Sequence, residues 1–195
     1  RFKETQPTAG DVKYADLNND GIMDERDKKV VSPYSNTPEI MFGLNLSASW
    51  KGFDFSALFQ GAANRNVMLS GFATQMFING ASNLPKYLYE DHWTPDNRDA
   101  CYPKAWGPDH PSNNKSSTFW LINGNYVRLK NVELGYSISK DLLSRVGVDR
   151  LRIYVGGSNL FSIDHMPGYD PEKQDGGPNY YPQQRVFNMG VNITF

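Results

Sequence analysis

The chain has 195 residues, with 20 basic and 21 acidic side chains and a formal net charge of −1; this balance, with no basic stripe, argues against nucleic acid as a partner. Hydrophobic residues make up 39% and no run of about 18 apolar residues occurs, so a membrane-spanning helix is excluded, whereas a barrel, whose strands alternate in polarity, is not. The single cysteine, Cys101, cannot close an intrachain disulfide and has no Cys or His at ligand spacing.

Residues 1–38 are dominated by turn chemistry, with Pro7, Gly10, Pro33 and Pro38 around an acidic, Asn-rich centre. The run from Asp16 to Asp27 fits the first half of a calcium-loop template. Side chains of Asp16, Asn18 and Asp20 and the carbonyl of Ile22 fall at alternate positions that can curl round one ion. Gly21 permits the sharp turn, Asp24 follows, and Asp27 stands where a bidentate Glu is usual. The same residues also make an Asx-rich surface turn that needs no metal. A structural calcium is the expectation.

From Glu39 the pattern changes to a period of two. Phe42, Leu44, Leu46, Ala48 and Trp50 alternate with small or polar residues, and after Lys51-Gly52 the alternation resumes as Phe53, Phe55, Ala57 and Phe59. Two such strands joined by so short a connection predict an antiparallel hairpin. Residues 61–119 carry no sustained period and read as a long excursion rich in Gly and Pro. A third strand spans Tyr126 to Ser137, but its apolar face changes sides near Asn131: Val127 and Leu129 are odd, Val132, Leu134 and Tyr136 even. Either a β-bulge restores a common face, or Arg128 and Lys130 lie beyond the membrane. Asp141 to Gly147 reads as a single helical turn. Leu151, Ile153 and Val155 mark a fourth strand, and a long loop over about 161–184 leads to the last. There Phe187, Met189, Val191, Ile193 and Phe195 take every second position, over about the length of one tilted barrel strand.

The fold class expected is therefore all-β, with about five antiparallel strands of a transmembrane barrel carrying long extracellular loops. Long and short connections alternate between the two ends, which predicts extracellular long loops and a periplasmic C-terminus. About five strands cannot close a barrel, since the smallest have about 8, and the sequence opens on Arg1. Further strands are expected upstream.

No constellation for catalysis emerges. His92, His110 and His165 are far apart, and the neighbouring carboxylates Glu90-Asp91 and Asp170-Pro171-Glu172 lack the separation needed to flank a scissile bond. An enzyme is not expected. The loop aromatics Tyr87, Trp93, Trp106, Tyr180 and Tyr181 are candidates for substrate or partner contact, or for packing within the loops.

Several stretches, in order along nearly the whole chain, carry a family resemblance. They are Gly10 to Gly21, His92 to Ala100, Asn125 to Tyr136, Leu151 to Phe161, Gly168 to Glu172 and Gly190 to Phe195. The chain resembles the C-terminal part of SusC/RagA-type TonB-dependent outer-membrane transporters, which import glycans or peptides with a SusD-like surface lipoprotein. That resemblance implies a 22-stranded barrel in the outer membrane of a Gram-negative bacterium, occluded by an N-terminal plug and energised by TonB through an N-terminal segment; neither falls within these residues. It implies residues 1–38 as an extracellular loop and 39–195 as strands and loops of the barrel. Phe195 is similar to the terminal aromatic read by the barrel-assembly machinery. Asn45, Asp54, Gln60, Asn188 and Asn192 would line the lumen, and membrane lipid would meet the apolar face. The alternative is a soluble, calcium-stabilised β-sandwich that binds carbohydrate.

Overall fold

The computed structural model describes residues 7–77, 83–106, 113–139, 143, 147–173, 181 and 183–195. Its principal element is a five-stranded antiparallel sheet. The strands in it are β1 (Ile40–Trp50), β2 (Phe53–Ala63), β5 (Tyr126–Ser137), β6 (Arg150–Asp164) and β7 (Val186–Thr194), in that spatial order. Between β2 and β5 lie β3 (Asn66–Met68), a five-residue helix α1 (Lys86–Glu90) and β4 (Leu121–Asn123). The hairpin predicted at Lys51-Gly52 is present. Both turn residues have positive φ, 47° and 88°, the geometry whose twist matches paired strands, and Trp50 lies opposite Phe53. The helical turn expected at 141–147 falls largely outside the described residues.

The register resolves the change of face in the third strand. Leu58 pairs with Asn131 and Phe59 with Leu129, which leaves Lys130 as the extra residue; on the other side Leu129 faces Phe161 while Asn131 faces Ser158. This is the bulge, and Asn159 on β6 takes a positive φ of 54° within it. Its consequence is a common apolar face. Trp50, Phe53, Tyr136, Ile153 and Val191 form one row across all five strands, and Ala48, Phe55, Leu134, Val155 and Met189 the next. Beyond the bulge the face continues through Leu44, Phe59, Leu129 and Phe161. Most of these side chains are exposed; Met189 is 85% so and Trp50 69%.

The described residues of the 61–119 excursion, which has no sustained period, carry structure of their own. β3 and β4 pair, with Val67 opposite Ile122, and a separate core forms above the sheet from Val67, Leu69, Ala73, Met76, Leu88, Trp106, Trp120 and Met166. The α1 helix contributes Leu88, which is fully buried. Trp120 is 1% exposed, and its indole N–H donates to the carbonyl of Asn113 at 2.7 Å. Asn113, itself buried, accepts from the Val12 N–H and donates to Asp11, both at 2.8 Å. The first loop is thereby tied to the second. Truncating such an aromatic costs about 3–5 kcal/mol, so Trp120→Ala is expected to raise amide exchange across residues 66–76 and 86–90 while leaving β1 and β7 unchanged, as read by hydrogen-exchange mass spectrometry.

Candidate functional site

The face opposite the apolar one is small and polar. Asn45, Asp54, Gln60, Asn188 and Asn192 all fall on it by register, joined by Ser47, Ser56, Glu133 and Ser158. Arg152 lies on it near the short-turn end, between Ser137 and Asn192. Its guanidinium donates to Asp54 Oδ1 at 3.0 Å and to Glu133 Oε1 at 2.6 Å, and lies 5.1 Å from the ring centre of Tyr154. Gly135 and Gly190 make this possible, because a Cβ at the first would clash with Arg152 and Asp54 and one at the second with the Tyr154 ring. Both large side chains therefore lie flat against the wall.

The Asp-rich loop brings its six predicted residues together, but mostly toward backbone donors. Asp16 Oδ2 accepts from the Gly21 N–H at 2.8 Å, Asn18 Oδ1 from Asp20 at 2.9 Å and Asp20 Oδ1 from Ile22 at 2.8 Å. Gly21 has the positive φ, 75°, that the turn requires. Asp24 caps a short 3-10 turn, Glu25–Asp27, and Asp27 accepts from the N–H groups of Leu17 and Asp24. Arg26 reaches Asp20 at 2.7 Å and Asp24 at 2.9 Å. Among the described residues no group of three or more His, Cys, Asp or Glu side chains is arranged to hold a metal ion. Asp16 Oδ1 stands apart: it is buried and accepts no hydrogen bond.

The aromatic candidates separate by burial. Trp106 is 6% exposed and belongs to the loop core. Tyr87 packs against that core, its hydroxyl donating to the Ala73 carbonyl and its ring set edge-on to Tyr102 and Tyr169; burial pushes its hydroxyl pKa well up. Trp93 is half-buried over Gly10, where a Cβ would clash with the indole. Tyr181, at 79% exposure, is presented to solvent, and so is Phe195 at 85%; Tyr180 and His110 lie outside the described residues. His92 is hydrogen-bonded to the carbonyl of Tyr89 at 2.9 Å, and exposed Cys101 donates its backbone N–H to Asp91 at 3.3 Å.

One cluster has no counterpart in the sequence reading. Arg128 makes a two-pronged contact with Asp170, at 2.9 and 3.2 Å, and Lys130 contacts Glu172 at 2.8 Å. Arg65, 2% exposed, donates to the carbonyls of Pro171 at 2.7 Å and Lys173 at 2.6 Å. The carboxylates were visible as Asp170-Pro171-Glu172, but no spacing pointed to their partners.

Both the sequence and the fold of the chain have relatives among known proteins. The chain is 31% identical to TonB-dependent receptor P26 of Formosa agariphila over 199 aligned residues, covering 95% of this chain and 20% of that protein. It is 24% identical to the TonB-dependent receptor SusC of Bacteroides thetaiotaomicron, over 93% of this chain and 17% of SusC. Over most of its length the chain is homologous to SusC/RagA-type TonB-dependent receptors. Its fold matches the RagAB peptide importer in the "open-open" state, with a TM-score of 0.62 and 28% identity over 82% of this chain and 17% of that one. The "closed-closed" state matches with a TM-score of 0.63 and 27% identity, over 84% and 18%. No family model matches. The chain spans about a fifth of the length of the curated relatives it matches. The family is one of transporters, not enzymes.

The acidic loop generates a pH dependence. Hydrogen bonds from the backbone N–H groups of Asp24, Leu17 and Asn18 hold the Asp27 carboxyl below the ordinary carboxylate range. A lowered folded-state pKa contributes stability that is present above the unfolded value, near pH 4, and lost as pH falls through the folded value. Amide protection at Leu17 and Asp24 is therefore expected to persist at neutral pH and to fall below about pH 4. In Asp27→Asn that acid-dependent loss should disappear when exchange is followed by NMR.

Proposed function

We propose that this chain forms the last five strands of a 22-stranded outer-membrane β-barrel in a TonB-dependent importer of glycans or peptides. The observation that carries this reading is the continuous apolar face, exposed across β1, β2, β5, β6 and β7. A bilayer satisfies such a face, and a barrel satisfies the hydrogen-bonding edges of β1 and β7, each of which has one strand neighbour. A soluble sandwich would need a second sheet over the apolar face, and among the described residues the second sheet, β3 with β4, is three residues long.

In this arrangement the polar face looks into the lumen and toward a plug supplied by the rest of the receptor, which also contacts TonB. Residues 1–38 form an extracellular loop and 39–195 the barrel strands and their loops, with the C-terminus periplasmic. Likeness to the two-component RagAB importer supports a SusD-like surface lipoprotein as partner to the long loops. Of the candidates Tyr87, Trp93, Trp106 and Tyr181, Trp93 and Tyr181 have surface to offer that partner or the cargo. Trp50, Phe53 and Tyr136 lie in a row at the short-turn end, with Lys51 over the Trp50 ring at 4.9 Å, as at a membrane interface. Phe195 serves as the assembly signal.

A lysine on the lipid face near mid-membrane costs about 2–4 kcal/mol. Val191→Lys in the whole receptor is therefore expected to lower the yield inserted into outer membranes and the temperature at which its heat-modifiable gel band is lost, whereas Asn192→Lys, on the opposite face, leaves both unchanged. Equal tolerance of the two substitutions would exclude the facing.

Calcium at the acidic loop belongs to the same proposal. Asp16 Oδ1, buried without a partner, is the oxygen a cation would complete. Asp16, Asn18, Asp20, Asp24, Asp27 and the Ile22 carbonyl would supply the donors once Arg26 leaves Asp20 and Asp24. Calcium is expected to raise amide protection over residues 16–27 in the wild type and not in Asp16→Asn. No response to millimolar calcium would leave the Asx turn and Arg26 as the whole account of the loop.

A further inference from the structure

The inner face is not uniformly open. At the loop end of the β2–β5 seam, Ala62, Tyr126 and Arg128 are 2%, 6% and 5% exposed, although they share the polar face with open Asn45 and Asn188. The chain after β6 folds back over them. Met166 anchors the near end of that segment in the loop core, and Gly168 turns it with a φ of 78°. Each of the four residues from Asp170 to Lys173 is then gripped by a cation: Asp170 by Arg128, Glu172 by Lys130, and the carbonyls of Pro171 and Lys173 by Arg65.

We infer that residues 165–173 are a strap latched across the inner side of the wall, fixed in place so that it narrows the channel mouth and does not open as a flap. The inference rests on the reading of the polar face as the lumen. The latch has the chemistry for a fixed closure. The Arg128 and Asp170 side chains are 7% and 8% exposed, so replacing one partner while the strap stays closed would leave a buried charge unpaired. Planar guanidinium and carboxylate meet through two contacts, which specifies orientation as well as proximity. The bulge serves the latch too, since Lys130 is the inserted residue and reaches Glu172 from it.

The test is hydrogen exchange on the whole receptor purified from outer membranes in detergent. Amides of 165–173 are expected to exchange slowly in the wild type and at least tenfold faster in Arg128→Asp and in Asp170→Arg. The double variant Arg128→Asp/Asp170→Arg should recover most of the protection, because the pair is re-formed with its charges exchanged. Should either single variant fail to insert, Glu172→Gln, which keeps the size and loses the charge, is expected to loosen the same segment. Unchanged exchange in the variants, or a double variant no better than the singles, would overturn the latch. Heat-modifiable migration on the same samples separates the two readings: its absence in the wild type removes the barrel, and its presence with an indifferent strap removes the latch alone.

Discussion

The constraint on which this structure depends is that every strand must keep one face apolar across five neighbours, and a period of two gives no tolerance for slippage. A shift of one residue would move a whole strand's apolar set to the polar side. β5 cannot meet that requirement as a regular strand, because Val127 and Leu129 are out of phase with Val132, Leu134 and Tyr136. The bulge at Lys130 corrects the phase in both seams at once, with Leu58/Phe59 on one side and Ser158/Phe161 on the other. Everything on the loop side of the bulge is aimed by it.

That explains what was legible in the sequence and what was not. Alternation is a local signal, so β1, β2 and β7 could be read directly, and the broken alternation in β5 marked Asn131 as the site of either a bulge or an exit from the membrane, of which the register shows the bulge. β3 and β4 are three residues each, too short to show any period, and their pairing joins residues far apart in sequence. The loop core draws on residues from Val67 to Met166 with no regular spacing. Among the aromatics, composition could not separate Trp106, 6% exposed, from Tyr181, 79% exposed, because the same side chains serve packing and presentation. Arg128 and Lys130 looked like residues beyond the membrane. Arg128 is buried and Lys130 partly so, because their counter-charges arrive 42 positions later.

The inner face uses arginine in two ways. Arg152 is shared by Asp54 and Glu133, whose side chains are 37% and 38% exposed, so solvent screens the cluster and its contribution to stability is modest. Its use is in shape, since it lies flat over Gly135 and leaves the wall smooth. Arg128 is different: withdrawn from water together with Asp170, it carries a desolvation cost that a leucine in its place would avoid. Such pairs contribute specificity more readily than stability, and here that means one position for one loop.

The location of the latch follows from the path of the chain. β3 begins three residues after β2 ends, and β4 ends three residues before β5 begins, so the β2–β5 pairing continues upward as β3–β4. At the junction the Gly124 N–H donates to the Arg65 carbonyl at 3.0 Å, and the Arg65 N–H donates to Asn125 Oδ1 at 3.2 Å. Gly124 fits there because a Cβ would press on the Arg65 side chain. The residue that starts the loop tower is thus the one that grips Pro171 and Lys173. Tower and strap rise from a single seam, and through Met166 and Trp120 they share a single core. A displacement of either would have to break buried ion pairs and open that core together, which makes the loop end of this wall one body with the strands beneath it.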